Sequence, residues 1–160
     1  MRPALLLAFA AFTPSLAMAD LTVTFRDGAP KDRFTLTYEG TCALDRLDVQ
    51  IDLGTAPAGL IFDTTSAGAG VEVYQPLEWV AGTANTSDVS DGDTLLSIAL
   101  DDVTPGANWA FTVDIDDTTS TRQITVDGSE MAGATLRADG QATAFDGTRT
   151  ATVPLRNCLS

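Results

Sequence analysis

Between residues 95 and 117 (LLSIALDDVTPGANWAFTVDIDD) the chain carries two alternating rows joined by a proline-glycine corner. Leu96, Ile98 and Leu100 alternate with Leu95, Ser97, Ala99 and Asp101. Trp109, Phe111, Val113 and Ile115 alternate with Ala110, Thr112, Asp114 and Asp116. Alternation at period two predicts strands with one buried and one wet face. Pro105 presets φ at the first central position of a turn, and Gly106 supplies positive φ at the second. These are the bulkiest apolar rows of the chain, so the spacing predicts a core built on them.

The same period recurs along the rest of the chain. Leu21, Val23 and Phe25 form one row, Phe34, Leu36 and Tyr38 another, and Leu47, Val49, Ile51 and Leu53 a third. A short apolar strand is expected at 60–62. Residues 71–80 read as extended, but Pro76 cannot donate to a ladder and places them at an edge or bend. Trp79 shares parity with Val71 and Val73, which predicts a core position. Tyr74 falls on the other face with Glu72 and Glu78, where an aromatic can stack on a sugar or simply face water. Ile124 and Val126 mark a further strand, 134–138 another, and 142–155 a hairpin closed by Asp146-Gly147. No segment carries a sustained 3.6-residue stripe. About nine or ten short strands with turn signals every 8–12 residues argue a sandwich or a barrel. Val103 decides for the sandwich, because a six- or seven-residue corner with an apolar residue suits a crossing between sheets. The corner resembles the cross-sheet corner of immunoglobulin-like and fibronectin-type domains. The expected fold is therefore all-β, a single immunoglobulin-like β-sandwich of short antiparallel strands.

The N-terminus changes the picture of where this domain works. Arg2, an apolar run over 4–12, Pro14 and Ala17-Met18-Ala19 read as a cleaved secretory signal over 1–19. The apolar run is too short for a membrane span. Residues 20–160 are then one domain, exported to the periplasm or beyond. The chain carries a net charge of −13, with 22 acidic residues against 9 basic ones and no histidine. Such a surface repels nucleic acid and anionic membrane, which excludes both as natural partners. Asn85-Thr86-Ser87, in a polar loop over 81–93, fits the glycosylation acceptor pattern.

Chemistry is restricted by what is missing. Without histidine there is no Ser-His-Asp or Cys-His arrangement. Cys42 and Cys158 are an even pair in an exported chain, which predicts a disulfide. It would close a loop of about 116 residues and stabilise by roughly 4–5 kcal/mol. Two thiols without histidine are too few ligands for zinc. Carboxylate chemistry remains, as an acid/base pair for glycoside hydrolysis or as oxygen ligands for calcium. Asp88, Asp91 and Asp93 precede the first central strand, and Asp114, Asp116 and Asp117 close the second. Antiparallel strands bring both groups to one end of the domain. These six carboxylates are either solvated or a candidate calcium set, although their spacing is not that of an EF-hand.

The stretches at 28–34 (GAPKDRF), 59–63 (GLIFD), 68–73 (GAGVEV) and 111–117 (FTVDIDD) resemble small exported bacterial proteins known as aggregation factor core proteins. The resemblance implies a cell-surface or matrix adhesion module, either with or without calcium, and no catalytic residues. The expected function is non-catalytic binding to protein or polysaccharide at the cell surface. A carboxylate-based hydrolase of surface polysaccharide is the alternative.

Overall fold

A computed structural model describes residues 19–66, 74–119 and 126–156. They form two five-stranded sheets and one two-stranded ribbon, with every pairing antiparallel. Sheet one runs in the order β12 (Thr150–Leu155), β1 (Ala19–Arg26), β2 (Asp32–Tyr38), β8 (Asn108–Val113), β5 (Glu78–Ala81). Sheet two runs β11 (Gln141–Ala144), β10 (Thr135–Ala138), β3 (Leu44–Asp52), β7 (Leu95–Val103), β6 (Asn85–Thr86). The ribbon pairs β4 (Leu60–Phe62) with β9 (Ile115–Asp117). With β1, β2, β8 and β5 as strands A, B, E and D, and β3, β10 and β11 as C, F and G, this is an immunoglobulin-like sandwich. The β7 strand lies beside C, and β12 extends the edge at A. No helix among the described residues is long and apolar enough to cross a membrane.

The corner at 104–107 carries the chain from β7 in sheet two to β8 in sheet one, as the buried Val103 requires. Gly106 adopts φ 78° there, and its N–H donates to the Tyr38 carbonyl at 3.1 Å. The inward rows are those of the sequence pattern. Leu96, Ile98 and Leu100 from β7 meet Trp109, Phe111 and Val113 from β8, and all six are buried. Phe111 stacks on Phe34 and takes Trp79 edge-on, ring centroids 5.3 Å apart.

Several expectations need correction. The structure has twelve strands among the described residues, because β6 is a two-residue piece too short to show alternation and the row over 109–116 breaks at Asp114 into β8 and β9. Trp79 packs against the core on the inward face beside Phe111, as expected, and is half-buried because β5 is the edge strand of its sheet. The Asp146-Gly147 turn closes no hairpin: β11 and β12 belong to different sheets. The Asp146 carboxylate instead pins a crossing, accepting from the Thr148 N–H at 2.8 Å and the Thr150 N–H at 3.1 Å. The tight hairpin is Asp139-Gly140, with φ 49° and 70°, the paired positive values of a type I′ turn. The signal over 1–19, apart from Ala19, lies outside the described residues, as do Val71, Val73, Ile124 and Cys158. Cys42 is not a free thiol.

Candidate functional site

Two places on this frame gather polar chemistry. The first is the outer face of sheet two, where the positions between the buried Leu47, Val49 and Ile51 are Arg46, Asp48 and Gln50. Register aligns them into rows. Arg137, Gln50 and Ser97 lie side by side across β10, β3 and β7, and Asp48, Ala99 and Asn85 across β3, β7 and β6. Short side chains at Ser97, Ala99 and Ala142 make the floor low, while Arg46, Arg137 and Gln141 stand higher. The result is an open groove of about 940 Å³. Its lining presents amide, hydroxyl, carboxylate and guanidinium groups, and no aromatic side chain. Gln50 donates to the Ser97 hydroxyl at 3.4 Å, and the Ser97 N–H to the Ser87 hydroxyl at 3.1 Å. Arg46 pairs with Asp48 at 2.8 Å, and Arg137 lies 4.0 Å from Asp52. Both pairs are half-exposed and add little stability, so either arginine can turn to a ligand at small cost. The residues of this groove were readable only as a wet face. What makes it concave is the distribution of alanine and serine across three strands, which no single strand displays.

The second place is the end of the sandwich where the ribbon sits. Loop 87–94 and the β8–β9 break do reach the same end, because both bond to β4. The Phe62 N–H donates to the Asp93 carbonyl at 2.9 Å, and the Asp63 N–H to the Asp114 carbonyl at 3.1 Å. The six candidate calcium ligands are held by different partners. Asp91 accepts from the N–H groups of Thr64 at 2.7 Å and Thr65 at 2.6 Å. Asp93 accepts from the Ser90 N–H at 2.8 Å, Asp117 from the Thr119 N–H at 3.2 Å, and Asp88 is exposed. Asp93 and Asp117 thus accept from their own turns and Asp91 from the turn after β4, and adjacent Asp116 and Asp117 project to opposite sides of β9. Among the described residues no three His, Cys, Asp or Glu side chains are placed to hold a metal ion.

Asp114 and Asp116 instead meet Asp63, a residue that nothing in the pattern distinguished from an ordinary turn aspartate. Burial pushes the Asp63 carboxyl up to about 6, reinforced by the charges of Asp116 and Asp91. Burial likewise pushes Asp114 up to about 7, reinforced by Asp116 and Asp63. Asp32, buried at the start of β2, is pushed up to about 8 by desolvation, which outweighs the hydrogen bond from the Gly28 N–H at 3.1 Å. As a hydrolytic pair, Asp63 and Asp116 are poorly placed. Both carboxyls are buried, at 1% and 3% exposure, so neither faces a polymer bound at the surface. Tyr74 is exposed but lies away from the groove lining. No protein-family model matches this chain, and no curated protein or solved structure matches it either.

Proposed function

We propose that this protein is an exported, non-catalytic binding module that holds a hydroxyl-rich polymer, a cell-surface or matrix polysaccharide, along the outer face of sheet two. The observation that carries this reading is the 940 Å³ groove, open and lined by both donor and acceptor side chains. An open groove accommodates a chain passing through it, whereas a closed pocket takes only a chain end or a small molecule. The dense negative charge disfavours polyanions, and the lack of lining aromatics makes recognition depend on hydrogen bonds to hydroxyls. The resemblance to adhesion-type exported proteins points the same way.

A second reading, a carboxylate-based hydrolase, is favoured by burial raising the Asp63 and Asp114 carboxyls to about 6 and 7, the range in which a general acid works near neutral pH. One experiment separates the two. The protein is passed over a panel of immobilised neutral and acidic polysaccharides, and the eluates are analysed for released sugars. Saturable retention without products supports the binding module. Product release supports the hydrolase and overturns the first reading.

A further inference from the structure

The charged residues at the β1–β2 turn are engaged one by one, with two exceptions. Asp27 holds Arg149, Lys31 holds Glu78 at 2.6 Å, and buried Asp32 accepts from the Gly28 N–H at 3.1 Å. Arg26, the last residue of β1, and Arg33, the second of β2, lie directly opposite each other on the outer face of sheet one. Both are exposed, and neither side chain makes an ion pair or a hydrogen bond among the described residues. In a chain with 22 acidic residues against 9 basic ones, two guanidinium groups are thus left facing each other. Like charges opposed across an antiparallel pair repel, so the placement costs stability as it stands. One step along the same face Thr24 lies opposite Thr35, and their hydroxyls are also without a hydrogen bond among the described residues. Beside Arg33 in its row comes Thr112, and the acid beyond it, Glu78, is the one that Lys31 already holds.

We propose that Arg26 and Arg33, with the hydroxyls of Thr24 and Thr35, form a binding site for a single phosphate group, free or carried as a monoester. Each guanidinium is a planar fork that donates two parallel N–H bonds to an oxyanion, and the hydroxyls donate to the remaining oxygens. Cross-strand neighbours stand roughly 5 Å apart and residues i and i+2 roughly 7 Å, so one tetrahedral group reaches all four side chains. A phosphate monoester carries close to two negative charges at neutral pH and cancels both guanidinium groups, whereas a carboxylate cancels one. The net charge of −13 repels a polyanion, so the fit is to an isolated phosphate rather than a phosphate backbone. The site lies on the opposite sheet from the groove and does not rest on it.

The test is an NMR titration of the full chain with inorganic phosphate at pH 7, with ionic strength held constant by sodium chloride. The backbone amides of Arg26 and Arg33 should shift saturably, and those of Arg46 and Arg137 on the other sheet should not. Acetate should bind roughly tenfold or more weakly, and Arg26→Gln/Arg33→Gln should weaken phosphate binding by the same factor. A parallel titration with glycerol 3-phosphate distinguishes the sources: tighter binding than inorganic phosphate assigns the site to monoesters, and equal binding assigns it to the free ion. Shifts that do not saturate, that match those of acetate, or that persist in the double variant would overturn the proposal. Melting in chloride alone gives a second readout. Arg26→Gln relieves the repulsion and should raise the midpoint by about 1–3 degrees, while a lower midpoint would mean that the protein itself satisfies the pair and would overturn the site.

Discussion

Phe34 and Phe111 face each other across neighbouring strands β2 and β8, their rings stacked with centroids 5.0 Å apart and planes at 22°. Phe25 and Phe145 close on Phe34 from either side, at 5.2 Å and 6.4 Å. The four rings bind the first sheet, through its centre, to the strand that leaves the second.

Removing one ring from this stack should be costly. Phe111 is fully buried and touches Phe34 and Trp79, so Phe111→Ala leaves a cavity that its neighbours cannot fill. The expected loss is roughly 3–5 kcal/mol in urea unfolding. A loss below about 1 kcal/mol would mean that the β8 row is not the core.

Stability should depend on pH in an unusual direction. Asp63, Asp114 and Asp32 have folded acidities raised above the ordinary 3.8, to about 6, 7 and 8. Their contribution is complete below the unfolded value and is lost as pH rises through the folded ones. Asp127 and Asp146 are held below the ordinary range, first by hydrogen bonds from Ser129 and Thr148 respectively, and their contribution is lost in acid. The thermal midpoint should therefore be highest at about pH 4 and fall towards both pH 8 and pH 3. A midpoint that rises steadily from pH 5 to pH 8 would contradict the burial of these three carboxyls.

How much of this was legible in the chain follows from where each feature is encoded. The core rows and the sheet-crossing corner are local: alternation fixes which way Leu96 or Phe111 points, and Val103 marks the corner as buried. The acidic end is not local. Asp114 and Asp116 read as wet positions because they alternate with Val113 and Ile115, yet Asp116 is 3% exposed because β4, over fifty residues earlier, lies against it. Asp146-Gly147 and Asp139-Gly140 carry the same dipeptide, and only the sheet to which the next strand returns makes one a hairpin and the other a crossing.

Calcium should act on this protein as a salt and no more. Asp91, Asp93 and Asp117 are engaged by separate turns, and among the described residues no three carboxylates are placed to hold an ion. Thermal midpoints in millimolar calcium, in magnesium, and in sodium chloride of matched ionic strength should agree within about one degree. A calcium-specific rise of a few degrees, abolished by Asp93→Asn with Asp116→Asn, would restore the shared site.

Export and the Cys42–Cys158 bridge can be read from one spectrum. Cys42 carries no free thiol, and its ring neighbour Tyr38 donates to the Cys42 carbonyl at 2.8 Å, holding this end of the expected bridge against the core. The intact mass of the secreted product should begin at Asp20 and lie two hydrogens below the reduced chain. Two free thiols in protein recovered without reductant would remove the bridge.

The claim that the outer face of sheet two is the binding surface is tested most directly by binding isotherms on the polysaccharide that the panel retains. Wild type is compared with Gln50→Ala/Arg137→Ala in the groove and with Thr22→Ala/Thr152→Ala, a neighbouring pair on the opposite sheet whose hydroxyls lie 3.1 Å apart. Melting curves confirm that all three are folded. The groove variant should bind roughly tenfold or more weakly, about 1.4 kcal/mol, while the threonine variant binds as wild type. Unchanged binding by the groove variant would contradict the account, and a loss confined to the threonine variant would move the site to the other face.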